Sequence, residues 1–241
     1  LPWFIVNNKF MENQKLKDLA KKLNLSFKNF KFLQEALTHR SYLNENRQHK
    51  LPHNERLEFL GDAVLELSVT DHLFKNYKNP EGELTSWRAA LVNGEMLASV
   101  AKEIELDDFI LMSKGEKKDT GKARNYILAN AMEALIGSIY LDGGFAKADK
   151  FIQKHIIVKL PGIIKNKSYL DPKSYFQEKA QEVAQVTPHY ELVKEWGPDH
   201  DKKFKVAVFL KDEKIAEGEG ESKQEAQRNA AEEGLISKKW K

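Results

Sequence analysis

The chain has 241 residues, 41% of them apolar, and a formal net charge of +3. That is room for one large domain or two modest ones around a real core, and it excludes a disordered or fibrous chain. Cysteine is absent, which excludes a disulfide framework, a thiol nucleophile and cysteine-ligated zinc, and fits a cytoplasmic location.

The near-neutral balance also excludes a global polyanion-attracting field. Residues 171–241 carry 13 Lys+Arg against 15 Asp+Glu, so any nucleic-acid footprint has to be a local patch. No run approaches the length of a membrane span, and no membrane partner is expected. Trp3-Phe4-Ile5-Val6 is apolar but too short and lacks a basic start, so no signal peptide is expected.

From Asn13 to about Ile164 apolar residues recur at three- and four-residue steps, which predicts a helical domain. Ser26 to Leu37 reads as a short helix pair ending at Thr38-His39-Arg40-Ser41. Asn44 to Pro52 is polar and reads as a loop. Asn54 suits the N-cap of a helix running to about Tyr77, broken by Asn79-Pro80-Glu81-Gly82. Glu83 to Glu103 reads as one helix and Ser113 to Lys122 as an exposed loop. Asn125 to Leu141 is a strongly apolar helix closed by Asp142-Gly143-Gly144, and Ala146 to Val158 is the last of the series. These boundaries predict an all-α domain over 13–160 and a linker over 161–170, opened by Pro161-Gly162. Over 171–241 the pattern changes. Pro172 to Val186 is an amphipathic helix, Tyr190 to Trp196 alternates, Lys203 to Leu210 alternates with Phe204, Val206, Val208 and Leu210 on one face, Lys214 to Gly218 is a third short strand, and Ser222 to Lys239 is a helix with an Ala-rich face. The second domain is therefore a small α+β unit of order α-β-β-β-α.

The informative stretch is Asn54-Glu55-Arg56-Leu57-Glu58-Phe59-Leu60-Gly61-Asp62-Ala63-Val64-Leu65-Glu66. At about 100° per residue, Glu55, Glu58, Asp62 and Glu66 fall within about 80° of one another, with Leu57, Leu60, Val64 and Leu67 opposite as the core face. Carboxylates stacked at these spacings repel and destabilise a helix. A solvated acidic face is the ordinary outcome of such a run, and a cation site is the alternative. Two residues favour the site. Gly61 costs about 1 kcal/mol relative to Ala inside a helix, which points to close approach by another backbone. Phe59 stands on the acidic side, away from the core face, and needs a cover, most simply a second subunit.

Glu133 is the only acid between Asn125 and Leu141, on a face shared with Asn130, Ala134 and Gly137. A lone Glu there fits a paired core carboxylate or a ligand. The small neighbours would let the Glu55–Asp62 helix pack against it, so that the two carboxylate sets converge on Mg²⁺ or Mn²⁺, which keep several waters and bind phosphates. Two other patterns fail. Gly115 to Lys122 is one residue too long for a phosphate-binding loop, and Ala123 replaces its Ser or Thr. His49 and His53 lack the Glu that a metalloprotease helix needs.

Asn54 through Asp62 resembles the signature of the ribonuclease III family. Ala36-Leu37-Thr38-His39-Arg40-Ser41-Tyr42 is similar to its upstream element, and Glu133-Ala134-Leu135-Ile136-Gly137 with Tyr140-Leu141-Asp142 to its second acidic helix. Phe176-Gln177-Glu178, Gly197-Pro198-Asp199-His200 and Gly220-Glu221-Ser222-Lys223 through Ala230-Ala231 resemble a double-stranded-RNA-binding domain. The resemblance covers nearly everything from Lys15 onward. It implies an endoribonuclease that hydrolyses double-stranded RNA with Mg²⁺, leaves 5′-phosphate and 3′-hydroxyl ends, works as a homodimer and processes ribosomal and other structured RNA precursors.

By the same resemblance, Glu58 and Glu133 match metal ligands, and Asp62 acts with Glu133 at the scissile phosphate. Glu55 and Glu81 match outer acidic positions, and Phe59 matches a knob inserted into the partner subunit. Asn130 stands where the family usually has Asp. It keeps a ligating oxygen but loses a charge, which raises the alternative of a catalytically weakened duplex-RNA-binding protein. A hydrolase of small phosphates would leave 171–241 without a role. In the second domain Gln177, Glu178 and Gln181 are placed to meet 2′-hydroxyls, and His200 to reach a neighbouring minor groove. Ser222, Lys223 and Gln224 open a helix whose N-terminus favours phosphate. Gln224 replaces a common Lys and should weaken one phosphate contact.

Overall fold

The computed structural model describes residues 14–198 and 202–240. The chain divides after Gly162 into two compact units. The first is helical: α1 (14–22), α2 (Phe30–Ala36), α3 (Arg40–Glu45), α4 (Glu55–Asn76), α5 (Glu81–Val92), α6 (Gly94–Glu103), α7 (Lys122–Gly143) and α8 (Phe145–His155), with α9 (Leu160–Asn166) crossing the division. At its centre lies α7, which buries Ile127, Leu128, Met132, Leu135, Ile136 and Ile139. Helix α4 packs along it, and α2, α6 and α8 complete the surround. No helix among the described residues is long and apolar enough to cross a membrane.

The expected boundaries shift for local reasons. Only Phe30–Ala36 of the proposed helix pair is helical. The Lys28 and Asn29 N–H groups each donate to Asp142 Oδ1 at 2.8 Å, which holds this stretch out of a helix. Glu83 to Glu103 is two helices, because Asn93 is extended and its Oδ1 accepts from Met96 N at 2.9 Å, starting α6 afresh. The linker expected at 161–170 begins inside α9, since Pro161 sits in a first turn where its missing N–H is not needed. Residues 172–186 are not one α-helix. Regular helix ends at Lys179 and a wider turn, Ala180–Ala184, closes on left-handed Gln185.

The core face of α4 also differs. Leu57 and Val64 are buried as expected, but Leu60 is half-buried and Leu67 is 57% exposed. The buried stripe runs instead through Leu57, Gly61, Val64, Leu65, Ser68, Val69 and Leu73. It turns that way because Gly61 and Ser68 admit neighbours closely: Gly61 faces α7, and Ser68 Oγ donates to Asp149 Oδ1 on α8 at 2.6 Å.

The second unit has α10 (Pro172–Lys179), β1 (His189–Trp196), β2 (Lys203–Leu210), β3 (Glu213–Gly220) and α11 (Lys223–Ser237). The sheet is antiparallel in the order β1-β2-β3, with Tyr190 opposite Val208 and Val208 opposite Ala216. Alternation on β2 turns Val208 and Leu210 toward the helices. There they join Tyr175, Phe176, Ala180, Ala230, Ala231 and Leu235 in one core.

Candidate active site and RNA-binding surface

The acidic helix is held at its start by Asn54. This residue occupies the N-cap position, but its side chain makes no capping bond. It is buried, its Nδ2 donates to Ala36 O at 3.2 Å and its backbone N–H to Thr38 O at 2.9 Å. Asn54 thus ties α4 to the turn ahead of α3, a link that N-cap preference alone does not show. His39, in that turn, caps α3, its Nδ1 accepting from Ser41 N at 3.3 Å. Burial, foremost, holds the His39 pKa below its ordinary value, which favours the neutral ring this cap needs.

Helices α4 and α7 cross at two glycines. A Cβ on Gly61 would overlap the Glu133 carbonyl and lie 2.8 Å from Gly137 N; one on Gly137 would overlap Leu57 O. The backbones therefore meet at Glu133 itself, as the mid-helix glycine suggested. On α7, Asn130 and Glu133 remain partly open while Ala129, Ala131, Met132 and Ala134 are buried. On α4, Glu55 and Asp62 are exposed and Glu58 is half-buried.

The crossing produces electrostatic strain. Burial, then Asp62, then Glu58 push the Glu133 pKa up from 4.5 to about 7. Burial, then Glu55 and Asp62, raise that of Glu58. Glu58, Asp62 and Glu133 thus form one repelling set, with Glu55 at its edge. Glu55 is partly neutralised by Arg40 at 3.5 Å and faces His53 at 3.7 Å. Glu81 is not drawn in by any described interaction; it opens α5, where Glu81 Oε1 accepts from Thr85 Oγ1 at 3.0 Å. Phe59 is 82% exposed beside the acids.

Asp142, to which the sequence reading gives no role of its own, is a buried anchor. Burial alone would raise its pKa, but the Asn29 N–H, the Lys147 ammonium at 3.0 Å and the Lys28 N–H together lower it. Its signal was a lone acid just before Gly143-Gly144, the pattern of a carboxylate turned back to cap another segment.

In the second unit Gln177, Glu178 and Gln181 are exposed along α10 and its following turn. Ser222 caps α11: its Oγ accepts from Glu225 N at 3.1 Å, while Glu225 Oε2 accepts from Glu221 N at 2.8 Å. That reciprocal cap leaves the N–H groups of Lys223 and Gln224 ahead of the first intrahelical bond. The Lys223 ammonium lies 5.8 Å from the Phe204 ring centre. His200 lies outside the described residues, as does the apolar segment Leu1–Phe10.

A helical unit with carboxylates gathered where two helices cross, followed by an α-β-β-β-α unit, defines the class of two-domain ribonucleases that act on duplex RNA. The Ribonuclease-III-like family matches residues 29–160 and the Double-stranded RNA binding motif matches 172–237. The chain belongs to the ribonuclease III family and is an endoribonuclease. It is 43% identical over 221 residues to Ribonuclease 3 of Borreliella afzelii, covering 91% of this chain and 90% of that one. It is 44% identical over 229 residues to Ribonuclease 3 of Clostridium tetani, covering 95% of each. The helical unit resembles a solved nuclease domain of ribonuclease III from Campylobacter jejuni, described for structural flexibility in a region involved in dimer formation. There the TM-score is 0.53 at 44% identity, over 59% of this chain and 96% of that one.

Proposed function

We propose that this chain cuts double-stranded RNA by divalent-metal-dependent phosphodiester hydrolysis, with Glu58, Asp62, Asn130 and Glu133 as its centre. The observation that carries this reading is the Gly61–Gly137 crossing, which forces Glu133 against the Glu58–Asp62 stripe. Among the described residues no group of three or more His, Cys, Asp or Glu side chains is arranged to hold a metal ion. Mg²⁺ needs none: it holds most of its waters and takes one or two carboxylates plus phosphate oxygens. The donors fit that demand, being hard oxygens whose mutual repulsion a cation relieves. Glu58 and Glu133 would hold the ion, Mg²⁺ or Mn²⁺, with Asp62 and the Asn130 carbonyl beside them. When bound, it supplies an acidified water and charge stabilisation at the leaving oxygen.

The protein's part is to hold these oxygens on two rigid helices and keep Glu133 partly dehydrated, while Glu55 extends the acidic margin. Water adds to phosphorus and the bond to the 3′-oxygen breaks, leaving a 5′-phosphate and a 3′-hydroxyl. Gln177, Glu178, Gln181 and His200 would meet minor-groove hydroxyls, and Ser222, Lys223 and Gln224 the phosphates. Exposed Phe59, with Leu67 and Phe74 further along α4, supports a homodimer in which each subunit cuts one strand. Precursors of ribosomal and other structured RNAs are the expected substrates.

Asn130 favours a second reading, a duplex-binding protein with a weakened centre. Incubation of a long perfect RNA duplex with the chain and Mg²⁺ separates the two. Short duplex products support the nuclease; a retarded but intact duplex supports the binder.

A further inference from the structure

Helix α7 is buried on almost every side, yet one stripe stays open. Lys122, Tyr126, Asn130 and Glu133 are all less than fully buried, and at about 100° per residue they fall within about 80° of one another. Tyr126 is 75% exposed. It stands one turn before Asn130, about 6 Å along the helix, and about 10 Å before Glu133. The next three residues, Ile127, Leu128 and Ala129, are buried, so the turn that presents the ring is fixed.

An aromatic ring left in water forgoes roughly 1.5–3 kcal/mol of burial. A cover that lies on this stripe must also leave Glu133 open to a phosphate. The exposed apolar residues suited to a second copy, Phe59, Leu67 and Phe74, belong to α4, whereas Tyr126 lies on α7 in line with Asn130 and Glu133. The ribose–phosphate backbone of the substrate itself meets both demands. The faces of the bases in an intact duplex are stacked inside and out of reach of the ring. What the backbone offers a phenol is a hydroxyl partner, and in RNA the wide minor groove displays 2′-hydroxyls.

Resting on the nuclease reading above, we propose that Tyr126 is a substrate-binding residue whose hydroxyl bonds a ribose 2′-hydroxyl within one or two nucleotides of the scissile phosphate. It thereby helps the nuclease domain itself distinguish RNA from DNA.

The test is single-turnover cleavage by the full chain of a short RNA duplex with one cut site. The same duplex is then made with a single 2′-deoxy substitution at each position flanking the cut. Tyr126→Phe keeps the ring and removes only the hydroxyl. It should slow all-RNA cleavage about three- to ten-fold, the size of one hydrogen bond. At one flanking position the deoxy substitution should slow the wild type by a similar factor and leave Tyr126→Phe unaffected. Unchanged cleavage by Tyr126→Phe, or additive losses at every position, overturns the contact. So does a Tyr126→Ala chain that sediments as a different oligomer from the wild type, since the ring then belongs to an interface. A wild-type chain that leaves the duplex intact refutes the nuclease reading, and this contact with it.

Discussion

Glu133→Gln should stabilise the metal-free protein above neutral pH. The wild-type carboxyl titrates near 4.5 in the unfolded chain and near 7 in the fold, raised by burial first and by Asp62 and Glu58 after it. Between those values the folded state holds a proton that the unfolded state has released. Its contribution is therefore most favourable below about pH 4.5 and is lost as pH rises through 7. Taken at face value the difference is about 3 kcal/mol. Glu133 is still partly open to solvent, and screening reduces this to about 1–2 kcal/mol. Glutamine keeps the shape and removes the charge. In calorimetry of the full chain with chelator at pH 8, the transition of the helical unit should rise by about 2–6 °C in the variant. At pH 4.5 the two proteins should unfold at nearly the same temperature. Adding Mg²⁺ at pH 8 should close the gap by stabilising the wild type more. A variant no more stable than the wild type at pH 8 would show that Glu133 is not held against its neighbours' charge.

Asn130→Asp adds a charge at the proposed metal site and should lower the Mg²⁺ concentration for half-maximal duplex cleavage; an unchanged or higher requirement in a metal titration places Asn130 outside the metal's reach. Gly61→Ala drives a Cβ into the Glu133 carbonyl, where no side chain can give way, and should cost about 3 kcal/mol or more. Gly82→Ala, with nothing within 4 Å of the added atom, should be neutral or stabilising by up to about 1 kcal/mol; equal melting temperatures for the two variants would refute the crossing. Phe59→Glu puts a charge where an apolar partner pocket is proposed and should convert a dimer to monomer. Sedimentation of a micromolar wild-type monomer, or of an intact Phe59→Glu dimer, removes the knob.

Much of this was readable before any coordinates, because the strongest signals are local. The stripe Glu55, Glu58, Asp62 needs only helical periodicity, and the alternation of Phe204, Val206, Val208 and Leu210 fixes a strand and its inner face. Gly61 was informative because its helix penalty demanded a reason, and the structure supplies Glu133 and Gly137 as that reason. What stayed hidden depends on partners distant in sequence. Leu67 fits the apolar side of a helical wheel as well as Leu57 does, and only the small residues at 61 and 68 turn the buried stripe away from it. Asn54 reads as a cap from its type alone, whereas its bonds go to Ala36 and Thr38. The split at Asn93 was missed because the apolar pattern runs on across it while one side-chain oxygen restarts the helix.

The same crossing explains why the acidic cluster can form without the proposed cation. Burying Glu133 beside Asp62 and Glu58 costs roughly 1–2 kcal/mol near neutral pH once screening is counted. Against that, α7 buries six large apolar side chains, Ile127, Leu128, Met132, Leu135, Ile136 and Ile139, each contributing roughly 1.5–3 kcal/mol. Packing exceeds repulsion several-fold even if the unfolded chain already hides a third of that area. Glu133 is therefore held in place by the hydrophobic face of its own helix, not drawn in by an ion. On this argument chelation should lower the melting temperature by a few degrees and leave the helical unit folded. Collapse of its helical signal on chelation would mean that the cation, and not α7, assembles the centre.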